Sequence, residues 1–385
     1  MNKPIKLLYL SEDYLNTKVH HNLCNHLCEL GVDVTVYTVL RSSSAFQNID
    51  STFENIKYDV VKYEFSGNEK RYKYDFRYKV KSKYGYLKSN VNLQDFDIVL
   101  AGTLFIEGAI ALKINEEFGV PYISCVRGAD VNFYFRKMFH LWLLGRNIVC
   151  GAAKMIPITK SIKDSLLGRI GMIGLRKNAE SKCEYVNNGI DEIWINNYTT
   201  KKSVAHPYKL LFIGHLEENK NIVRLQNVVV SLIDKYPDIK LTIIGGAAEC
   251  YEDVISICKE YLNNFEYLGK IYDKQKLLTI VREHHIFTMV SHSETFGLVY
   301  IEALSQGLPV LYTQGQGIDG VFSKRIGEAV ISNSDDSIKQ GLEKLLTDYD
   351  NYEPLSREDV ASFSWSEIAK KYMFFLKSIL ENKNK

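Results

Sequence analysis

The stretch "IKLLYLSEDYLNTKVHHNLCNHLCELGVDVTVYTV", residues 5–39, holds two apolar runs and, between them, a segment whose apolar residues recur at helical spacing. Gly31 closes that helix, because glycine takes the left-handed conformation at a helix end without steric cost. Strand, helix and strand on short connections predict a parallel pair with a right-handed crossover. The theme continues in "FDIVLAGTL" (96–104), a helix near 106–118, "PYISCVRGAD" (121–130) and "AKMIPITKS" (153–161). Each strand is apolar along its length, as expected when helices cover both faces of a sheet.

The pattern restarts at "YKLLFIGHL" (208–216). It runs through a helix near 221–236, "IKLTIIGGA" (239–247), a helix near 252–263, "FEYLGKI" (265–271), "IFTMVSH" (286–292) and "LPVLYTQ" (308–314). A chain of 385 residues exceeds one typical core, so two domains are expected. The polar, aperiodic "DEIWINNYTTKKSVAHPY" places a linker at 192–207, between domains at 1–191 and 208–363. "SWSEIAKKYMFFLKSIL", within 364–385, reads as an amphipathic helix packing back across the domains. The fold class is α/β: two Rossmann-like, doubly wound domains facing a central cleft, with ligands outside the carboxyl ends of the strands. No G-x-G-x-x-G follows a strand; "GRIGMIG" (168–174) lacks one before it and reads as loop.

Composition removes several classes. The net charge of +2 gives no general field for nucleic acid, and no apolar run approaches the ~20 residues of a membrane helix. The first apolar run meets acidic residues at once, as a strand does and a signal peptide does not. Seven cysteines without a C-x-x-C pair predict reduced thiols and a cytoplasmic protein. His20, Cys24 and Cys28 recur at i, i+4, i+8 but lack a further ligand, and read as the buried face of the first helix. "DFD" (95–97) has Asp-x-Asp spacing but simply starts a strand. Neither a metal nor a cofactor is expected.

The chemistry is carried by "SHSETFGLVYIEALSQGLPV" (291–310). Glu294 falls in a strand–helix loop at the sheet's carboxyl edge, and Glu302 lies just over one turn into the helix that Gly297 opens. Thr295 and the amides of Phe296, Gly297 and Leu298 form the helix start, where unpaired N–H groups favour an anion. A carboxylate accepts two hydroxyl hydrogen bonds, which suits sugars. The pair fits a nucleotide sugar, with phosphate between its two ends. "GHLEENKN" (214–221), after the first strand of the same domain, adds Gly214, His215 and the cation of Lys220.

"ETFGLVYIEALSQGLPV" is similar to the Glu-x7-Glu signature of the retaining GT-B glycosyltransferases of the family-four group. "LLFIGHLEENKNI" resembles that family's first strand and Gly-Arg…Lys loop. "LTIIGGAAE", "FEYLGKI", "YVNNGID" and "FSWSEIAKKY" follow in the family's order, so the likeness covers nearly the whole chain. The resemblance implies that Lys220 holds the donor diphosphate, Glu294 contacts the transferred sugar and Glu302 binds the ribose. It also implies a metal-independent hexosyltransferase that retains anomeric configuration, with the leaving phosphate as base. Three positions depart: His215 stands for the loop arginine, Arg127 for the histidine before Gly-x-Asp, and "YLNTKVHHNL" (14–23) has no glycine. Arg127 restores a phosphate partner, so Glu294, Lys220 and Arg127 are the expected catalytic residues. Asp130, Lys18 and His20 are placed on the acceptor or sugar side.

For the acceptor, "KRYKYDFRYKVKSKYGYLK" (70–88) carries eight Lys or Arg against one Asp, with six aromatics interleaved. Together with "RKMFHLWLLGRN" (136–147) and "LLGRIGMIGLRK" (166–177) it predicts a glycan or lipid-linked acceptor, and an anionic membrane surface as a partner on the inner face. The competing reading of 136–147 and 166–177 is ordinary packed helices with solvated ends. A non-catalytic GT-B subunit binding a glycan or partner enzyme is the second function class, kept open by His215 and Arg127. A phosphorylase or sugar-nucleotide epimerase is the third.

Overall fold

The structure is a computed structural model, which describes residues 3–383 except 13, 16, 41–55, 66, 170–171, 201–202, 205 and 207. The chain forms two compact units: Met1–Asn188 with Trp365–Lys385, and Gly189–Ser364. The first contains a six-stranded parallel sheet of β1 (Ile5–Leu10), β2 (Val32–Leu40), β3 (Asp59–Glu64), β4 (Ile98–Ala101), β5 (Tyr122–Val126) and β6 (Lys154–Pro157). Their order is β3-β2-β1-β4-β5-β6. The opening βαβ is as expected: α1 (Lys18–Glu29) crosses between β1 and β2, whose register pairs Ile5 with Val32. Thr17 caps α1 by accepting the Val19 amide at 3.3 Å.

Four further helices of this unit matter below: α2 (Phe76–Asn90), α3 (Ile106–Phe118), α4 (Trp142–Gly151) and α7 (Trp365–Lys383). Helix α7 belongs to this unit although it ends the chain; Trp365, Tyr372 and Phe375 lie in a core cluster with Leu7, Val34 and Leu100. The basic run divides between Glu69–Tyr74 and α2. One of its cations is not at the surface. Lys83 is 1% exposed, with Nζ 2.9 Å from Glu12 and 4.0 Å from Glu107, since a buried ammonium needs carboxylates around it.

The second unit repeats the architecture with β7 (Lys209–Ile213), β8 (Lys240–Ile244), β9 (Phe265–Tyr267), β10 (Ile286–Thr288), β11 (Val310–Thr313) and β12 (Gly327–Val330). The order β12-β11-β10-β7-β8-β9 is the first unit's order again. Helix α5 (Ile222–Val230) follows β7, and α6 (Leu298–Ser305) follows β10. The expected linker begins too early. Residues Glu192–Asn196 are helical and Trp194 is fully buried in the second core, so the break falls at 188/189; positions 201–202, 205 and 207 of that linker lie outside the described residues. Helix α5 also stops short of 236, giving way to turns over 231–235. The 168–174 segment is irregular where described, and 170–171 lie outside the described residues.

Candidate functional site

In the second sheet β7 and β10 are neighbours whose connections leave in opposite directions, β7 toward β8 and β10 toward β11. That reversal opens a crevice at the strands' carboxyl ends, where ligands of such sheets bind. The loop after β7 carries Gly214, His215 and Lys220; the loop after β10 carries Glu294 to Gly297.

Backbone and amide side chains lock these loops together. The Asn219 Nδ2 donates to the Ser293 carbonyl at 2.9 Å, and its Oδ1 accepts the Ser293 amide at 3.0 Å. The His292 amide donates to the Asn219 carbonyl at 2.8 Å. Asn221 has φ +57 and donates from Nδ2 to the carbonyls of Val290 (3.2 Å) and Ser332 (2.6 Å). A left-handed residue is needed there to turn the chain into α5, and asparagine tolerates that conformation best after glycine.

On this frame Lys220 Nζ lies 2.7 Å from Glu294 Oε2, the two side chains being 19% and 12% exposed. The loops after β7 and β10 thus meet at Lys220 and Glu294. Glu294 is held further by its own backbone: its amide donates to Gln316 Oε1 at 3.2 Å, and its carbonyl accepts from Gly317 at 3.0 Å. Gly297 begins α6 at φ +74, beside the buried Phe296 and the half-buried Thr295 and Leu298. His215 is exposed, and its ring packs where a Cβ on Gly246 would approach Nδ1 to 3.1 Å. Only glycine fits at the neighbouring position 245, since a Cβ there would stand 1.7 Å from the Gly214 carbonyl oxygen.

Glu302, one turn into α6, joins a different set of groups. Desolvation pushes its carboxyl up to about 7, against the pull of Lys274, with Asp191 raising it further and the Trp194 indole lowering it. Lys274 itself pairs with Asp191 at 3.1 Å. Sequence reasoning missed Asp191, Trp194 and Lys274 as neighbours of Glu302 because they come from distant segments. A carboxyl with a raised folded pKa binds its proton more tightly when folded. Stability therefore falls as pH rises from about 4.5 towards 7, and the loss persists above that. At 1.36 kcal/mol per pH unit, ionised Glu302 costs on the order of 3 kcal/mol. Glu302→Gln is expected to melt several degrees higher than wild type at pH 8 and at the same temperature at pH 4.5. Equal melting at both pH values would contradict the desolvated carboxylate.

In the first unit β1 and β4 form the corresponding crevice. Arg127 donates from Nε to the Gly102 carbonyl at 2.7 Å. Asp130, expected on the sugar side, is 1% exposed and accepts the amides of Arg127 (2.8 Å), Leu104 (3.2 Å) and Phe105 (3.2 Å). Burial raises its carboxyl to about 6 against those three amides. Asp130 therefore ties the loop after β5 to the loop after β4. His20 is also buried, hydrogen-bonded to the Tyr9 hydroxyl, and held well below the usual imidazole range by desolvation and then by Arg127. It faces the core beside Cys24, whereas Lys18 at the start of α1 is exposed. Asp97 accepts the Lys6 amide at 2.8 Å, a strand-end contact.

Residues 196–359 match the family described as glycosyl transferases group 1. The chain is 29% identical over 176 residues to the O-antigen biosynthesis glycosyltransferase WbnH of Escherichia coli, covering 45% of this chain and 46% of that one. It therefore spans about half the length of that relative. It is 22% identical over 294 residues to the GDP-mannose:cellobiosyl-diphosphopolyprenol alpha-mannosyltransferase of Xanthomonas campestris, covering 73% and 74%. Among solved structures, Anabaena Alr3699/HepE in complex with UDP and glucose superposes with a TM-score of 0.68 at 14% identity, over 97% of this chain and all of that one. The apo form of the lipopolysaccharide outer core galactosyltransferase WaaB gives 0.68 at 14%, over 97% and 99%. The structural likenesses establish the fold, two Rossmann-like domains of the GT-B kind.

Proposed function

We propose, from the match of residues 196–359 to the group 1 glycosyl transferases and from the GT-B fold of the chain, a retaining glycosyltransferase. It moves a hexose or N-acetylhexosamine from a UDP-linked donor to a glycan or lipid-linked acceptor in surface polysaccharide or glycoconjugate synthesis. The observation that carries this reading is the Lys220–Glu294 pair, 2.7 Å apart on two interlocked loops at the switch point of the second sheet. UDP is the nucleotide bound in the complex of the Anabaena neighbour, and O-antigen synthesis is the process in which the E. coli relative is named.

In this reading the donor diphosphate takes over Lys220, and the unpaired amides at the start of α6 meet phosphate oxygens. Glu294, released from the lysine, accepts hydroxyls of the transferred sugar and supports positive charge at its anomeric carbon. Bond cleavage leaves the electron pair on the diphosphate oxygen, where Lys220 stabilises it. The acceptor hydroxyl attacks from the face the diphosphate leaves and gives its proton to that phosphate, so configuration is retained. Glu302, with Lys274 beside it, binds the ribose. No metal is needed in this scheme, since the lysine and amides supply the neutralising field.

The experiment incubates the full chain with UDP-glucose, UDP-galactose and their N-acetylamino forms and follows sugar release by proton NMR. Release of UDP with the α anomer as first product from an α-linked donor is expected. A β first product would overturn retention, and no UDP release from any donor by a folded sample would favour the non-catalytic GT-B subunit.

A further inference from the structure

The first unit holds a cavity of about 720 Å3 between α2, α3 and the segment 140–147 that includes most of α4. None of its lining residues belongs to the loops that carry Arg127 and Asp130. Its size lies within the ~300–1,000 Å3 range of small-molecule sites. Phe76 and Val80 line it one turn apart on α2, Leu112 faces them from α3, and Leu144 from α4. The cations among its lining residues are Arg77, Lys81 and Lys113, all exposed, and His140 adds a titratable ring; Glu116 is the one acid. Leu143, itself a lining residue, and Phe139, next to the lining residue His140 in sequence, are 69% and 64% exposed.

We propose that this cavity takes one hydrocarbon chain of a phosphate-bearing lipid, whose phosphate meets Arg77, Lys81 and Lys113. Seven of the fourteen lining residues are apolar, among them Phe76, Val80, Leu112 and Leu144, and give an alkyl or prenyl chain a wall to lie on, while Tyr84 and Asn147 add hydrogen-bonding groups to the charged ones. The rim supplies the complementary charge, and Lys70, Arg71 and Lys73 in the preceding helix extend the basic surface of the same run. The two halves of the recognition come from one helical repeat, since Phe76 and Val80 alternate with Arg77 and Lys81 along α2. The inference rests on, and deepens, the lipid-linked reading of the acceptor.

The test titrates the full chain, without donor, with monomeric lysophosphatidylglycerol, lysophosphatidylcholine and glycerol 3-phosphate by calorimetry. One molecule of lysophosphatidylglycerol is expected to bind, at least tenfold tighter than the zwitterionic lipid, with no binding of glycerol 3-phosphate. Arg77→Glu with Lys81→Glu is expected to erase the tenfold preference, and Leu143→Asp, at an exposed position, to weaken both lipids tenfold. Equal binding of glycerol 3-phosphate would reduce the site to a phosphate patch and overturn the chain pocket. Equal affinity for the two lipids would overturn the role of the cations, and undiminished binding by both variants would place the lipid elsewhere. UDP binding by the same wild-type sample, read separately, shows whether the donor site fails independently.

Discussion

Lys220→Ala is expected to lower sugar transfer about a hundredfold or more and to weaken nucleotide binding by a similar factor. A fixed donor aimed at charge developing on a leaving group contributes about 3 kcal/mol, which is that factor. In the unliganded protein the same lysine neutralises Glu294, whose side chain is 12% exposed, so its removal leaves a nearly buried carboxylate. The substitution therefore also destabilises the second unit, and the two effects need separating. Removing both partners in Lys220→Ala/Glu294→Ala restores part of the stability but none of the affinity. Recovery of nucleotide binding in the double variant would mean the lysine acts only by balancing Glu294. Full affinity in the single variant would exclude Lys220 from the phosphate site.

The second large effect is expected at Gly297, where Gly297→Ala should lower the melting temperature of the second unit by roughly 5–15 °C. Two costs combine. Its φ of +74 strains any L-residue by about 1–2 kcal/mol. An added Cβ would also stand 2.6 Å from Tyr300 Cδ2 and 3.2 Å from Glu294 Cγ, and overpacking of this kind costs about 1–3 kcal/mol. Tyr300 has little room to retreat, being buried, with its hydroxyl donating to the Met289 carbonyl at 2.6 Å. The strain thus moves into the loop carrying Glu294, and nucleotide affinity falls with stability. Gly315 is the control: its φ is +72, but nothing lies within 4 Å of its added Cβ. Gly315→Ala is expected to show the backbone cost alone. Equal melting of the two variants would remove the Tyr300 clash from the explanation.

Much of this was legible in the chain itself, for physical reasons. Central strands of a parallel sheet are buried on both faces, so "IKLLYL" and "KLLFI" announce themselves as apolar runs. The edge strands β3 and β12 do not. "DVVKYE" and "GEAV" are half-buried, and one polar end on so short a segment hides the pattern. Lys220 and Glu294 were legible because each lies in a strand–helix loop, and doubly wound topology brings such loops to one edge. What holds them was not, since Asn219, Asn221 and Gln316 bond to positions 22 to 111 residues away. Asn221 left a faint signal as an asparagine just before a helix, in a place that needs positive φ. Asp130 and His20 show the opposite failure. The match to the family's Gly-x-Asp places Asp130 on the sugar side, whereas burial gives it three backbone amides; His20, placed on that side too, instead follows the reading of a buried face of α1 and meets the Tyr9 hydroxyl.

The most direct measurement is a thermal-shift screen of wild type and Lys220→Ala against UDP, GDP, ADP and dTDP. A ligand that binds only the folded chain stabilises it by about 2.7 kcal/mol at a hundred times its Kd, a shift of several degrees. UDP is expected to raise the melting temperature of wild type and to leave that of Lys220→Ala unchanged. No shift with any of the four nucleotides, or an equal shift in the variant, would contradict a nucleotide-sugar site at Lys220 and Glu294.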